Sequence, residues 1–254
     1  MKVGMQVFST TVITTSSRHQ RSVADGMARS GGATRRLLQA VCLCLGMVLS
    51  HAVAGEAADT VPLFTNLGTL HHPITTTSER AQQYFDQGLR LVYAFNHEEA
   101  IRAFEEAARL DPTAAMAYWG IALASGPNIN APMAKGDERR AWEALLKAKA
   151  QSSHVSPAEQ RFIEALGKRY SAKGGSRTAL DKAYANAMRT VWQQSSNDAD
   201  AGTLFAEALM DLRPWDFWTA DGRPQPGTEE IVSTLETVLS RVPDHPGACH
   251  YYIH

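Results

Sequence analysis

Cysteine is scarce: Cys42 and Cys44 fall in an apolar stretch near the N-terminus, and only Cys249 lies beyond it. A mature chain with one cysteine forms no internal disulfide, so its stability has to come from packing. No glycine-rich phosphate loop, no nucleophile elbow and no cysteine-rich metal box occurs, which leaves any enzymatic reading resting on a few histidines. No run alternates apolar and polar residues as a strand would, so the chain is expected to be all-α. Acidic residues are nearly absent from the first 54 positions, which hold six of the 25 basic residues but only Asp25 of the 26 acidic ones. Residues 55–254 therefore carry 19 basic and 25 acidic residues, a net charge near −6, which argues against nucleic acid as partner. With 44% hydrophobic and 20% charged residues, the chain has ordinary globular material for a core.

The N-terminal imbalance has a layout. Arg35-Arg36 precede the apolar stretch from Leu37 to Leu49, and Ala52-Val53-Ala54 follows as a small-residue cleavage site. This is the order of a secretory signal, with Gly55 opening the mature chain. The apolar run is shorter than the ~20 residues a membrane helix needs, so no stable span is expected after cleavage. Residues 1–26 are rich in Ser and Thr, and Met27 is the better expected start. Thr34-Arg35-Arg36-Leu37-Leu38 echoes a twin-arginine signal too loosely to separate export routes. The expected location is periplasmic or secreted.

Beyond the leader, residues 55–77 read as an extended lead-in with Pro62, Gly68, His71, His72 and Pro73, and Ser78 is placed to cap a first helix. Tyr84, Gly88, Ala100, Phe104, Ala107 and Pro112 then fall at a spacing that resembles the tetratricopeptide repeat, a helix-turn-helix unit of about 34 residues. Small Gly88 and Ala100 stand where helices cross, Phe104 supplies the large knob between them, and Pro112 stops the second helix, biasing Asp111 toward an extended conformation. An ordinary amphipathic hairpin demands only apolar spacing, whereas six fingerprint positions agree here. Tyr118 opens a second repeat 34 residues after Tyr84.

Helices are expected over about 79–95, 98–110, from 114, over about 138–150, 156–170, 177–194, from 198, over 228–241, and as a beginning at 248–254. The resemblance implies all-α helical hairpins stacked as a right-handed superhelix, an α-solenoid spanning residues 78–254 and continuing past its end. The runs around Tyr84, Asn96 and His250 look like those of exported bacterial tetratricopeptide-repeat proteins.

The resemblance also implies that the first helix of each repeat lines a concave groove for extended peptides. Its positions here are Gln82, Phe85, Leu89, Val92 and Tyr93, then Met116, Trp119 and Leu123. They are mostly apolar and carry no basic clamp, so either the groove takes apolar peptide or other parts of the chain fill it. His250 and His254 share a helix face at one-turn spacing, with His245 just before, and this trio is the candidate ligand set for a transition metal, the only cofactor suggested. The plainer alternative is packed or surface histidines beside Tyr251 and Tyr252. His71-His72 is a weaker pair, because adjacent side chains point apart. The aromatic loop from Arg213 to Trp218 either receives a ligand or folds back as a plug. The expected function is an exported module that binds proteins or peptides, or scaffolds them; the alternative is a metal-binding protein or metal-dependent enzyme built on the C-terminal histidines.

Overall fold

Helices dominate the chain beyond residue 78 in the structure, a computed structural model that describes residues 61–254. The leader, the Met27 start and residues 55–60 of the lead-in lie outside the described residues. Among the described residues there are nine α-helices: α1 (Glu79–Tyr93), α2 (His97–Leu110), α3 (Ala115–Ala124), α4 (Asp137–Gln151), α5 (Pro157–Leu166), α6 (Arg177–Gln194), α7 (Ala199–Met210), α8 (Thr228–Arg241) and α9 (Pro246–Ile253). No strand forms among them; two isolated bridges, Asn128 with Ala131 and Trp218 with Pro224, pin loops. No described helix is long and apolar enough to cross a membrane.

Local chemistry sets the helix ends. Ser78 accepts a hydrogen bond from the Ala81 N–H (3.1 Å) and starts α1. At its other end α1 stops two residues earlier than the apolar pattern predicts, because Phe95 turns left-handed (φ 56°). The Asn96 N–H then reaches the Leu91 carbonyl and the Phe95 N–H that of Val92, a Schellman closure with Phe where Gly is usual. Asp111 is extended before Pro112, as expected. Ser156 and Glu159 form a reciprocal capping box at α5. That helix ends at Leu166 rather than near Tyr170, since the chain turns to bury Arg169 against Asp181 and Asp211 and to let Tyr170 Oη donate to the Ala122 carbonyl (2.6 Å).

Each helix packs on the next in sequence, and α5 also reaches α3. Phe104 is fully buried between two glycines: a Cβ at Gly88 or at Gly120 would lie 2.5 Å from its ring. The close crossing inferred from Gly88 and Phe104 is thus present, with Gly120 of α3 as its second wall. The last helix, α9, returns to pack against α1 and α7. There the Gly247 backbone lies against the Tyr93 ring, which a Cβ would meet at 2.5 Å.

Candidate functional site

The lead-in segment is not a free linker. Residues 61–77 run along α1, and polar side chains of α1 take up their backbone groups. Tyr84 Oη donates to the Val61 carbonyl (2.7 Å), Gln87 bonds both the Pro62 carbonyl and the Phe64 N–H, and Arg90 holds the Leu70 carbonyl. Gln82 donates to the His72 carbonyl (2.8 Å) and accepts from the Ile74 N–H (2.9 Å). Further along, Thr75 binds Glu159 on α5 through both its N–H and its hydroxyl, and Thr76 donates to Asp111. Leu67, Leu70 and Ile74 pack onto the main core.

Most of the positions expected to line a groove are buried within the described chain. Phe85, Leu89, Val92, Tyr93, Met116, Trp119 and Leu123 are all buried core residues. Phe85 lies against the rings of His72, Phe104 and Trp119, and Trp119 packs on Phe162 and donates to its carbonyl. Burying so many apolar side chains is what the hydrophobic effect favours when a self-segment is available to cover them. Of the expected groove residues only Gln82 contacts extended backbone through a polar group.

By crossing α1, the strap carries His71 and His72 to a cleft of about 680 Å³ lined also by Glu159, Phe162, Asp198, Asp200, Asp244 and His245. As adjacent residues must, the two imidazoles diverge. His71 Nδ1 meets Asp86 Oδ2 at 2.7 Å, and Asp86 Oδ1 also accepts the His72 N–H, so Asp86 fixes the strap at this point. His72 Nδ1 meets Asp200 Oδ2 at 2.8 Å. The other oxygen of Asp200 accepts from Tyr93 Oη (2.6 Å) and from His245 Nε2 (3.1 Å). Asp198 caps α7, with Oδ1 accepting the N–H groups of Asp200 and Ala201.

The electrostatics follow from this geometry. Burial works against the Asp200 carboxylate, but hydrogen bonds from His245, His72 and Tyr93 outweigh it and hold the group well below the usual carboxylate range. Burial also disfavours a charged His72, yet its hydrogen bond to Asp200 and the surrounding carboxylates raise its pKa above the ordinary imidazole value. Asp198 is pushed up by burial and by the charge of Asp200, with His72 opposing. Among the described residues, His72, Asp198 and Asp200 are the one trio of His, Cys, Asp or Glu whose donor atoms all lie within 4.8 Å of one another.

The C-terminal histidines divide between two neighbourhoods. His245 caps α9: its Nδ1 accepts the Ala248 N–H (3.1 Å) while Nε2 faces Asp200, so neither nitrogen is left for a metal. His250 and His254 do stand together, ring centroids 5.1 Å apart, beside the Phe95 ring, on which His97 also stacks. His250 Nδ1 is engaged by the Tyr93 carbonyl (2.6 Å). The expected set His245, His250 and His254 is thus not assembled as one site. In the aromatic loop Phe217 is the plug, while Trp215 and Trp218 remain 61% and 52% exposed. Asn128 caps its own turn, accepting from Asn130 and Ala131.

Sequence reasoning missed the partnership of His72 with Asp198 and Asp200. Its available signal was a second aspartate two residues after a helix cap, which reads as ordinary first-turn chemistry. Comparison with family models, with curated proteins and with solved structures finds no match to this chain.

Proposed function

We propose that this chain is an exported, tetratricopeptide-like protein of stacked helical hairpins in a right-handed superhelix, working as a binding module whose α1 face grips extended polypeptide. One observation carries the reading: an extended segment already lies on that face, its backbone held by Tyr84, Gln82, Gln87 and Arg90. Recognition through main-chain groups is sequence-tolerant, and side-chain pockets beneath Leu67, Leu70 and Ile74 would supply selectivity. The occupant here is the protein's own strap, which stands where a partner's segment would lie.

The test loosens the strap without touching α1. Leu67→Ser, Leu70→Ser and Ile74→Ser are combined in the full chain, and a fluorescent synthetic peptide of residues 61–77 is added. Fluorescence anisotropy should report binding to the triple variant and none to the wild type at the same concentration, where the tethered strap wins by effective concentration. Adding Gln82→Ala and Gln87→Ala to the variant should abolish the signal. A triple variant with an intact helical circular dichroism spectrum that ignores the peptide would sink the binding-module reading.

A further inference from the structure

We propose that His72, Asp198 and Asp200 bind one divalent first-row transition-metal ion, of which zinc is the natural representative, in the cleft between the strap and the N-terminus of α7. The assignment does not rest on peptide binding at α1, although His72 belongs to the strap that occupies that face. It joins residues more than a hundred positions apart in sequence, brought together because Asp86 and Gln82 fix the strap while Asp198 caps α7.

Three features point to a cation. The first is spacing. All three donor atoms lie within 4.8 Å of one another, and His72 Nδ1 sits 2.8 Å from Asp200 Oδ2, close to the roughly 3.3 Å that separates neighbouring ligands on a tetrahedral ion with bonds near 2.0 Å. A small opening of that hydrogen bond admits the metal. The second feature is charge. Two carboxylates, Asp198 and Asp200, face the single imidazole of His72 within this trio. The α7 dipole offsets about half a unit of the surplus, leaving the pocket negative and open to a cation. The third is outer support: Tyr93 and His245 both bind the other oxygen of Asp200, which holds the carboxylate in place as second-shell partners do in metal centres.

The donor set also selects the ion. One imidazole nitrogen disfavours Mg²⁺ and Ca²⁺, which prefer all-oxygen shells, and suits Zn²⁺ or its first-row neighbours. Three protein donors would leave at least one position for water, and all three residues line the cleft. This is the open arrangement of sites that work on a ligand, not the closed shell of a structural zinc.

The experiment loads the full chain, without a histidine tag, with ZnCl2, dialyses it and counts metal by mass spectrometry, alongside titration calorimetry. One zinc per chain is expected. His72→Gln and Asp198→Asn should each weaken zinc by at least about a hundredfold; Asn keeps the α7 cap, so the loss reports the ligand and not the helix. His250→Ala with His254→Ala should leave affinity unchanged. X-ray absorption should show a light-atom shell of nitrogen and oxygen near 2.0–2.2 Å and no sulfur. Added zinc should raise the melting temperature of the wild type and not of Asp198→Asn, a readout that stands even where a variant is less stable. Absence of stoichiometric zinc, or zinc retained equally by His72→Gln and Asp198→Asn, overturns the assignment.

Discussion

Gly88→Ala is a substitution whose sign the structure reverses. In a solvent-facing helix, replacing Gly with Ala stabilises by about 1 kcal/mol, because the helix interior penalises the freedom of glycine. At Gly88 the new methyl would lie 2.5, 2.6 and 2.7 Å from three ring atoms of Phe104. Carbon atoms rest at about 3.5–4.0 Å, so the ring must retreat by roughly 1 Å. It has nowhere to go: on its other side the Gly120 backbone is as close, and a Cβ there would meet the same ring at 2.5 Å. Overpacking typically costs about 1–3 kcal/mol, and a ring pinned from both sides belongs at the upper end. Set against the propensity gain, the net destabilisation is about 2 kcal/mol, or a drop of about 4–8 °C in melting temperature for a unit of this size. Urea unfolding should show a lower midpoint at unchanged slope. Phe104→Leu in the Gly88→Ala background should cost less than Phe104→Leu alone, because the methyl then fills space the ring has left. A melting temperature that stays level or rises in Gly88→Ala, or strictly additive costs in the double variant, would show that the ring is not wedged.

Two further perturbations read other parts of the fold. Ser156→Ala removes half of the α5 capping box and should cost about 1 kcal/mol, whereas Glu159→Ala also releases both Thr75 bonds and should cost more; equal thermal shifts would mean that the strap gains nothing from α5. Burial raises Glu207 and, more strongly, Asp211, whose carboxyls share the buried cation Arg169. Carboxyls with raised folded pKa values contribute stability that is full below their ordinary values and fades as pH rises through the folded ones, so urea midpoints should decline toward alkaline pH. Glu207→Gln should flatten that decline, and a slope identical to wild type would exclude the pair as its source.

Helix positions were legible in the sequence wherever local chemistry sets them. Ser78 and the Ser156-Pro157 start each act within one turn, and α6 and α8 occupy their expected spans. The Gly88 and Phe104 pairing was legible too, since size complementarity at fixed spacing is a local statement. The early ends of α1 and α5 were not. They depend on where Phe95 and Arg169 find partners, far along the chain. The candidate metal site was the least legible part. His72 and Asp200 are 128 residues apart, and nothing local to either specifies the other. The histidine pair at 250 and 254 drew notice because its spacing is visible along the chain, yet His245 was claimed first by a helix cap and by Asp200.

The return of α9 onto α1 has a consequence for how the molecule comes apart. In an open array of hairpins, terminal units touch one neighbour and fray independently of the far end. Here the residues just past α1 are wedged by α9 and the residue after it: Phe95, held in a left-handed conformation that is costly for a bulky side chain, keeps its ring among His250, Tyr251 and His254. Peeling α9 away removes the contacts that compensate that strained turn and uncovers Tyr93, so loosening of α9 is transmitted to α1. The pair α1 and α9 thus behaves as a clasp, and among the described residues opening seen by amide exchange should reach loops such as that around Gly174 before it reaches either of these helices.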